Sequence, residues 1–571
     1  MSAPVTTESA LDRAAAESAE NAETWARLPI PSKMAMLADL RTRTGNAAER
    51  WVRAACEAKG IPPGSPLEGE EWLSGPYAML IAVDALHQSL ERLWRGQPTY
   101  KESWVRRRSN GRTLVNVLPA DWHDHLLLSG YKADVWMRPG VTPRDLRRHT
   151  ATFYAQTLPK GRVCLVLGAG NIASIPPLDV LHKLYVEGQV VILKMNPVND
   201  YLGEIFEEVF AEYIDRGFLR LVYGGGQVGS YLVHHDAIDS VHLTGSDKTH
   251  DLIVFGGGEE GHRRKERGEP LVRKPINSEL GGISPVIVVP GPWSEEDLQH
   301  QAEHFVTQKL HNGGFNCIAA QVLVMPDTWP HTDRFLDIVE YEVANAPERP
   351  AYYPGAHERQ IRAAERHHDS ITVSTDPHRT HLRNVDPDSK SFAFTEEFFS
   401  ATFATTRLAN GDAGSYLDAA VAFVNSELHG SLGASILIHP ETREELGARF
   451  DNAVARMRYG CIGINVWSGM GFLLPRASWG AFPGSTLHDI GSGRGVVHNA
   501  LMFERAERTV IHGPFRPFHR AWQAGEFHLA PKPPWFVTHE TAGRTARALT
   551  AFAADASLKH LPSIFNAALR G

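Results

Sequence analysis

The sequence predicts an α/β fold: a doubly wound parallel sheet, a second α/β unit after it, and a helical N-terminal region. Two patterns and the length predict it. Between 162 and 290, short runs rich in β-branched residues alternate with amphipathic helical segments: "RVCLVLG", "PLDVLHKLYVEG", "QVVILKM", "LGEIFEEVFAEYIDRG", "FLRLVYG" and "SVHLTG". Strands separated by helices in this way read as parallel βαβ units. The pattern resumes after 283 with "ISPVIVVPG", a long helix "SEEDLQHQAEHFVTQKLHNGG", a strand "QVLVMP", a helix "HTDRFLDIVEYEVANA" and, later, "GASILIHP". Finally, 571 residues are too many for one core, and a prior of about 150 residues per domain predicts several units.

The remaining elements follow in order. Residues 8–58 read as helices that end on a Gly stop signal, and the Pro/Gly-rich stretch "GIPPGSPLEGEEWLSGP" reads as a linker to the helix "YAMLIAVDALHQSLERLW". Beyond 505 the chain is rich in Pro, His and aromatic residues before the helical "TAGRTARALTAFAADASLKHL". There is no internal repeat or low-complexity tract.

Composition narrows the function classes. With 43% hydrophobic and 22% charged residues the chain is an ordinary globular sequence. Its net charge of −8 gives nucleic-acid binding little support, and the one basic cluster, His262 to Lys265, reads as a solvated loop. No apolar stretch reaches the length of a membrane span and the polar first residues do not form a secretory signal, so a cytoplasmic protein is expected. Four cysteines, at 56, 164, 317 and 461, form no C-x-x-C pair, and no metal site is expected.

Ligands of doubly wound sheets lie at the carboxyl ends of strands, which directs attention to the turns there. "LGAGNIAS" lacks the third Gly of a dinucleotide fingerprint. "GGGQVG", Gly224 to Gly229, fits that spacing without an acidic residue after the next strand; a tight turn competes with both readings. Thr244 to Ser246 can serve as a phosphate site or as a plain N-cap. Lys194 ends a strand, where it reaches a ribose or simply faces solvent. Glu279 stands before Leu-Gly-Gly among apolar residues, a setting for base chemistry or for an ordinary turn. Cys317, in "FNCIAAQ", is either an inert small hydrophobe or a nucleophile.

Taken in order, "GAGN", "LKMNP", "GGGQVG", "LTGS", "ELGGISP", "NGGFNC", "TEEFF" and "INVW" with "WGAFPG" resemble the signature segments of the aldehyde dehydrogenase superfamily from about 150 to 500. The resemblance implies that Cys317 is the nucleophile that forms a thiohemiacetal and then a thioester, and that Asn171 donates to the oxyanion. It makes Glu279 the base that activates water. On the cofactor side it implies NAD or NADP, with Lys194 at the adenosine ribose, Ser246 at the pyrophosphate, Gly225 and Gly245 in close-approach turns, and Glu397 and Phe399 around the nicotinamide ribose. The implied architecture is a helical N-terminal region over 1–150, a Rossmann-type cofactor domain over 151–280, a catalytic domain over 281–465, and a return segment with substrate-tunnel residues and an atypical C-terminal extension over 466–571. Trp467, Phe472 and Trp479 fall in the tunnel region. A small-molecule aldehyde substrate and a homodimer or homotetramer are expected, with no nucleic-acid or membrane partner.

Several departures bear on specificity. Pro197 in "KMNP" stands where the family commonly has a ribose-binding Glu, which opens NADP use; Phe315 replaces a frequent Gln, and 246–279 carries an apparent insertion. A CoA-acylating enzyme or acyl-CoA reductase is the second reading, opposed by Glu279. A silent binding protein is the third, opposed by the presence of both nucleophile and base.

Overall fold

The Val-, Ile- and Leu-rich runs pair into two sheets in the computed structural model, which describes residues 4–108, 111–375, 378–409 and 411–571. The smaller sheet has the order Gly493–Arg494, Ile276–Leu280, Ser240–Gly245, Val163–Leu167, Val190–Lys194, Leu219–Val222. All neighbours run parallel except the edge pair Gly493–Arg494, which is antiparallel to Ile276–Leu280. Val163–Leu167 and Val190–Lys194 are buried at every position, the mark of strands covered on both faces. Helix Glu8–Ala26 supplies part of that cover: Trp25 is fully buried and its indole N–H donates to the Leu184 carbonyl at 3.0 Å. Because the strands are parallel, their carboxyl ends meet along one edge, where Leu167 pairs with Lys194 and Gly245 with Leu280.

The larger sheet has eleven strands, and its composition corrects the expected division of the chain. Its order is Val105–Arg107, Thr113–Leu118, Lys132–Met137, Ala506–His512, Cys461–Ile464, Gly433–Leu437, Ser284–Val288, Ala320–Pro326, Thr402–Leu408, His378–Leu382, Ser370–Thr375. The region before 150 is therefore not wholly helical: "TLVNVL" and "KADVWM" form an antiparallel pair. Strand Ala506–His512 lies between Lys132–Met137 and Cys461–Ile464 of the same chain. Both ends of the sequence thus build the sheet that carries the Cys317 turn.

Two local expectations also change. The stretch read as a linker folds into helix Glu68–Trp72 and a π-helical turn Leu73–Tyr77, both packed inside. Helix Ala542–Asp555 presses on it so closely that a Cβ on Gly69 would lie 2.7 Å from the Ala542 backbone. The basic cluster read as a loop is part of helix Gly258–Arg267. Among the described residues no helix is long and apolar enough to cross a membrane.

Helix Glu295–Leu310 sets up the Cys317 turn. It starts at a capping box, with the Asp297 N–H donating to Ser294 Oγ at 3.2 Å and the Ser294 N–H to the Asp297 carboxylate at 3.1 Å. It stops because Asn312, Gly313 and Gly314 all have left-handed backbones, with φ of 54°, 66° and 82°. Gly314 is required twice over: its φ suits glycine, and a Cβ there would sit 2.4 Å from the Ser400 carbonyl oxygen.

Candidate active site

A cavity of about 1040 Å³ lies between the carboxyl edge of the smaller sheet and the Cys317 turn. Asn171, Glu279 and Cys317 line it together with Lys194, Gly245 and Ser246 at or next to strand ends, and with Glu397 and Phe399. Gly225 does not line it; the adjacent Gly226 and Gln227, at the start of helix Gly226–His234, do.

Cys317 is partly exposed to the cavity and is a free thiol. Burial pushes its pKa well above the ordinary thiol value, and the carboxylates of Glu279 and Glu397 add to the rise. The resting group is therefore the thiol, and a base must act before it can attack. Glu279 lines the same cavity. It belongs to strand Ile276–Leu280, in register with Thr244 on one side and Gly493 on the other, rather than to a turn. This strand position leaves it 4% exposed, and burial, reinforced by Asp179, pushes its pKa up to about 8 against the hydrogen bond from the Trp479 indole. Its Oε2 is buried without a protein partner.

Asn171 follows strand Val163–Leu167 and is held at both ends. Its Nδ2 carries two N–H groups, one of which donates to the Phe315 carbonyl at 2.9 Å. Its own carbonyl accepts from Lys59 Nζ at 3.1 Å and Asn312 Nδ2 at 3.0 Å, with the Tyr352 hydroxyl 2.9 Å away.

The other half of the cavity has the character of a nucleotide groove. Lys194 is largely buried with no hydrogen bond or ion pair among the described residues, and burial lowers its amine pKa. Ser246 caps helix Asp247–Phe255 by accepting the Thr249 N–H at 3.1 Å. A Cβ on Gly225 or Gly226 would meet nothing within 4 Å, so these glycines leave open room rather than tight packing. Glu397 receives the Gly282 N–H, and burial followed by Asp247 pushes it up to about 8 against Lys309 and Arg359; its Oε1 is buried without a partner. Phe399 has a left-handed φ of 43°, with its ring 4.9 Å from Tyr353. Phe315 joins this cluster, 5.0 Å from Tyr352 and 5.7 Å from Tyr353.

None of the three aromatics expected in a substrate passage lines this cavity. Trp479 is fully buried and its indole N–H donates to Glu279. Trp467 is buried behind the nucleophile turn, its indole N–H donating to the Ile318 carbonyl at 3.2 Å. Phe472 alone keeps exposed surface, packed on Ala169, Ile172 and Ile175. Sequence reasoning missed the partners beneath the site: Lys59, Glu70, Glu71, Arg349 and Asn312 under Asn171, and the pair His242 and Asp179, 3.3 Å apart, beside Glu279. The adjacent glutamates in the supposed linker, next to Trp72, were the available hint.

Residues 139–358, which span Asn171, Glu279 and Cys317, match the family model "Aldehyde dehydrogenase family". Over this stretch the chain is similar to the aldehyde dehydrogenase family. Among its aldehyde dehydrogenase relatives, the N-succinylglutamate 5-semialdehyde dehydrogenase of Hahella chejuensis is 28% identical over 211 residues, 36% of this chain and 39% of that protein. The D-glyceraldehyde dehydrogenase (NADP(+)) of Picrophilus torridus is 30% identical over 155 residues, 26% of this chain and 28% of that protein. The aligned segment thus spans well under half of these relatives. The fold likeness extends further. The Mycobacterium tuberculosis aldehyde dehydrogenase complexed with NAD+ superposes at TM-score 0.59 and 18% identity, over 89% of this chain and 91% of that one. The NADP-dependent glyceraldehyde-3-phosphate dehydrogenase of Bacillus halodurans, complexed with NADP, does so at 0.59 and 17%, over 89% and 92%. The fold likeness thus extends well beyond residues 139–358.

Proposed function

We propose that this protein oxidises an aldehyde to a carboxylic acid with NAD or NADP, through an acyl group carried on Cys317. The observation that carries the reading is the placement of a thiol, a buried carboxylate and an amide donor, Cys317, Glu279 and Asn171, in one cavity with an open groove at the sheet's carboxyl edge. The groove suits a dinucleotide: Gly226 and Gly245 lie where a side chain would fill it, Lys194 is an unpartnered cation, and Glu397 has an orphaned buried oxygen aimed at no protein donor. In this reading Lys194 and Ser246 hold the adenosine and phosphate portions, and Glu397 and Phe399 the nicotinamide ribose. A nicotinamide ring bound there supplies the hydride acceptor.

The protein's own groups do the rest. Glu279, as carboxylate, takes the Cys317 proton, and Sγ adds to the aldehyde carbon. The second N–H of Asn171 Nδ2 and the backbone N–H of Cys317 donate to the oxygen as it becomes negative. Glu279 passes the Cys317 proton on to solvent; after the carbon has lost hydride, it takes a proton from water, the hydroxide adds to the thioester carbon, the C–S bond breaks, Glu279 returns the proton to Cys317 Sγ and the acid departs. The depth of Glu279 favours water over CoA as acceptor, because a carboxylate held at about 8 is matched to proton abstraction near neutral pH.

The test is the absorbance of reduced nicotinamide with a panel of aliphatic and aromatic aldehydes, each with NAD or NADP and with or without CoA. Steady production without CoA is expected. Production only with CoA would make the acylating reading correct, and none with any aldehyde would remove the assignment.

A further inference from the structure

Four charged side chains are buried together beneath the nucleophile turn, three of them from the N-terminal region. Lys59 follows helix Ile30–Ala58, Glu70 and Glu71 belong to helix Glu68–Trp72, and Arg349 comes from the catalytic part of the chain. Lys59 Nζ lies 2.9 and 3.0 Å from the two Glu71 oxygens, and Arg349 lies 2.8 Å from Glu70 and 3.1 Å from Glu71. All four side chains are at most 6% exposed and their charges sum to zero. Burying four charges is expensive even when paired, and apolar residues of the same volume serve stability as well or better. What the ions reach therefore matters more than the pairs themselves.

Three of the four reach the two asparagines beside the Cys317 turn, and Glu71 pairs with two of those three, Lys59 and Arg349. Lys59 Nζ donates to the Asn171 carbonyl at 3.1 Å and to Asn312 Oδ1 at 3.2 Å. Arg349 donates to the same Oδ1 at 3.0 Å. Glu70 accepts the backbone N–H of Asn312 at 2.9 Å, at a residue with left-handed φ. Asn312 Nδ2 in turn bridges the Asn171 and Phe315 carbonyls at 3.0 and 3.1 Å. Asn171 and the turn leading to Cys317 are thus fixed to each other through one buried, charge-assisted network.

We propose that Lys59, Glu70, Glu71 and Arg349 are positioning residues that hold the Asn171 amide and the Cys317 turn in register for attack on the carbonyl. Helix Ala542–Asp555, packed on Gly69, clamps the short helix that carries both glutamates. The N-terminal region and the C-terminal extension then form the back wall of the site. This inference rests on the proposed role of Cys317.

The test is the double variant Lys59→Met/Glu71→Gln, which removes one pair, leaves Arg349 with Glu70, and keeps an acceptor for Arg349. Expected is a folded protein with unchanged dinucleotide Kd and an aldehyde KM within a few fold. Its kcat should fall about 100-fold, the effect of a displacement of about 1 Å between reacting groups. Glu70→Gln keeps the shape while weakening its charge-assisted bond to Asn312 and its ion pair with Arg349, so it should lower kcat about tenfold with the same Kd; it decides the matter if the double variant does not fold. A kcat within twofold of the parent, or a loss that merely follows weakened dinucleotide binding, would overturn the inference. Cys317→Ala run alongside separates the two levels: full turnover there would remove the underlying reading, whereas an inactive Cys317→Ala beside a fully active network variant would remove this inference alone.

Discussion

The indole N–H of Trp479 donates to the buried carboxylate of Glu279, joining residues that are 200 positions apart in sequence. This bond favours the charged form of a group that burial pushes the other way, so Trp479 tunes how much of Glu279 is ready to accept a proton.

Removing that donor should be visible in the pH profile. Trp479→Phe leaves an aromatic ring without the N–H, and a hydrogen bond to a charged group contributes about 1.5–3 kcal/mol. The midpoint of activity should move one to two units, approximately, towards alkaline pH. An unchanged midpoint would show that the indole does not set the base.

The parent enzyme should itself gain activity as pH rises through about 8. Glu279 acts as carboxylate, and its pKa is raised to about 8, so the competent fraction is small at pH 6 and nearly complete at pH 10. The Cys317 thiol, also raised, adds slope in the same direction. A kcat/KM profile flat from pH 6 to 9 would contradict this.

Cys317→Ala should abolish turnover while leaving dinucleotide binding intact, since it removes only a thiol from the cavity wall and leaves the strand-end residues Lys194, Gly245 and Ser246 in place. Oxidation near the parent rate would take the nucleophile assignment away.

Glu279→Gln should separate the two halves of the reaction. Gln fits the strand site but takes no proton from water, so rapid-mixing absorbance is expected to show a burst of reduced cofactor followed by a steady rate lower by about 10²–10⁴. A linear trace at the parent rate would mean that another group activates water.

NADP should be used at least as well as NAD. The strand-end lobe of the cavity is lined by Lys194, Asn196, Gln227, Ser230 and His234, and none of these carries negative charge. Pro197→Glu adds a carboxylate beside this lobe and should lower kcat/KM for NADP about tenfold or more while sparing NAD. Equal effects on both cofactors would remove the discrimination argument.

The parallel units were legible because their strands are unbroken apolar runs, as in Val163–Leu167 and Ser284–Val288, each bounded by turn residues. Cys317, Asn171 and Glu279 were legible because the residues around them follow a family's order. Glu279 was nonetheless read as preceding a turn, since nothing local shows that Ile276–Leu280 pairs on both sides. The buried quartet was missed for a related reason: "EGEEW" has the composition of a solvated linker until Lys59, Arg349 and the 542–555 helix close over it.

By itself, then, the sequence determined the alternation of strands and helices and the class of fold, and it singled out the candidate reactive groups, because hydrophobic period and motif spacing are local properties of the chain. Only the tertiary structure decided that strands at 113–137 and 506–512 complete one sheet, that the Trp479 indole donates to Glu279, and that Lys59, paired with Glu71, reaches Asn171. Those outcomes depend on burial and on contacts between distant segments. A charge, an indole or a glutamate pair acquires its role there only when folding removes the water that would otherwise solvate it.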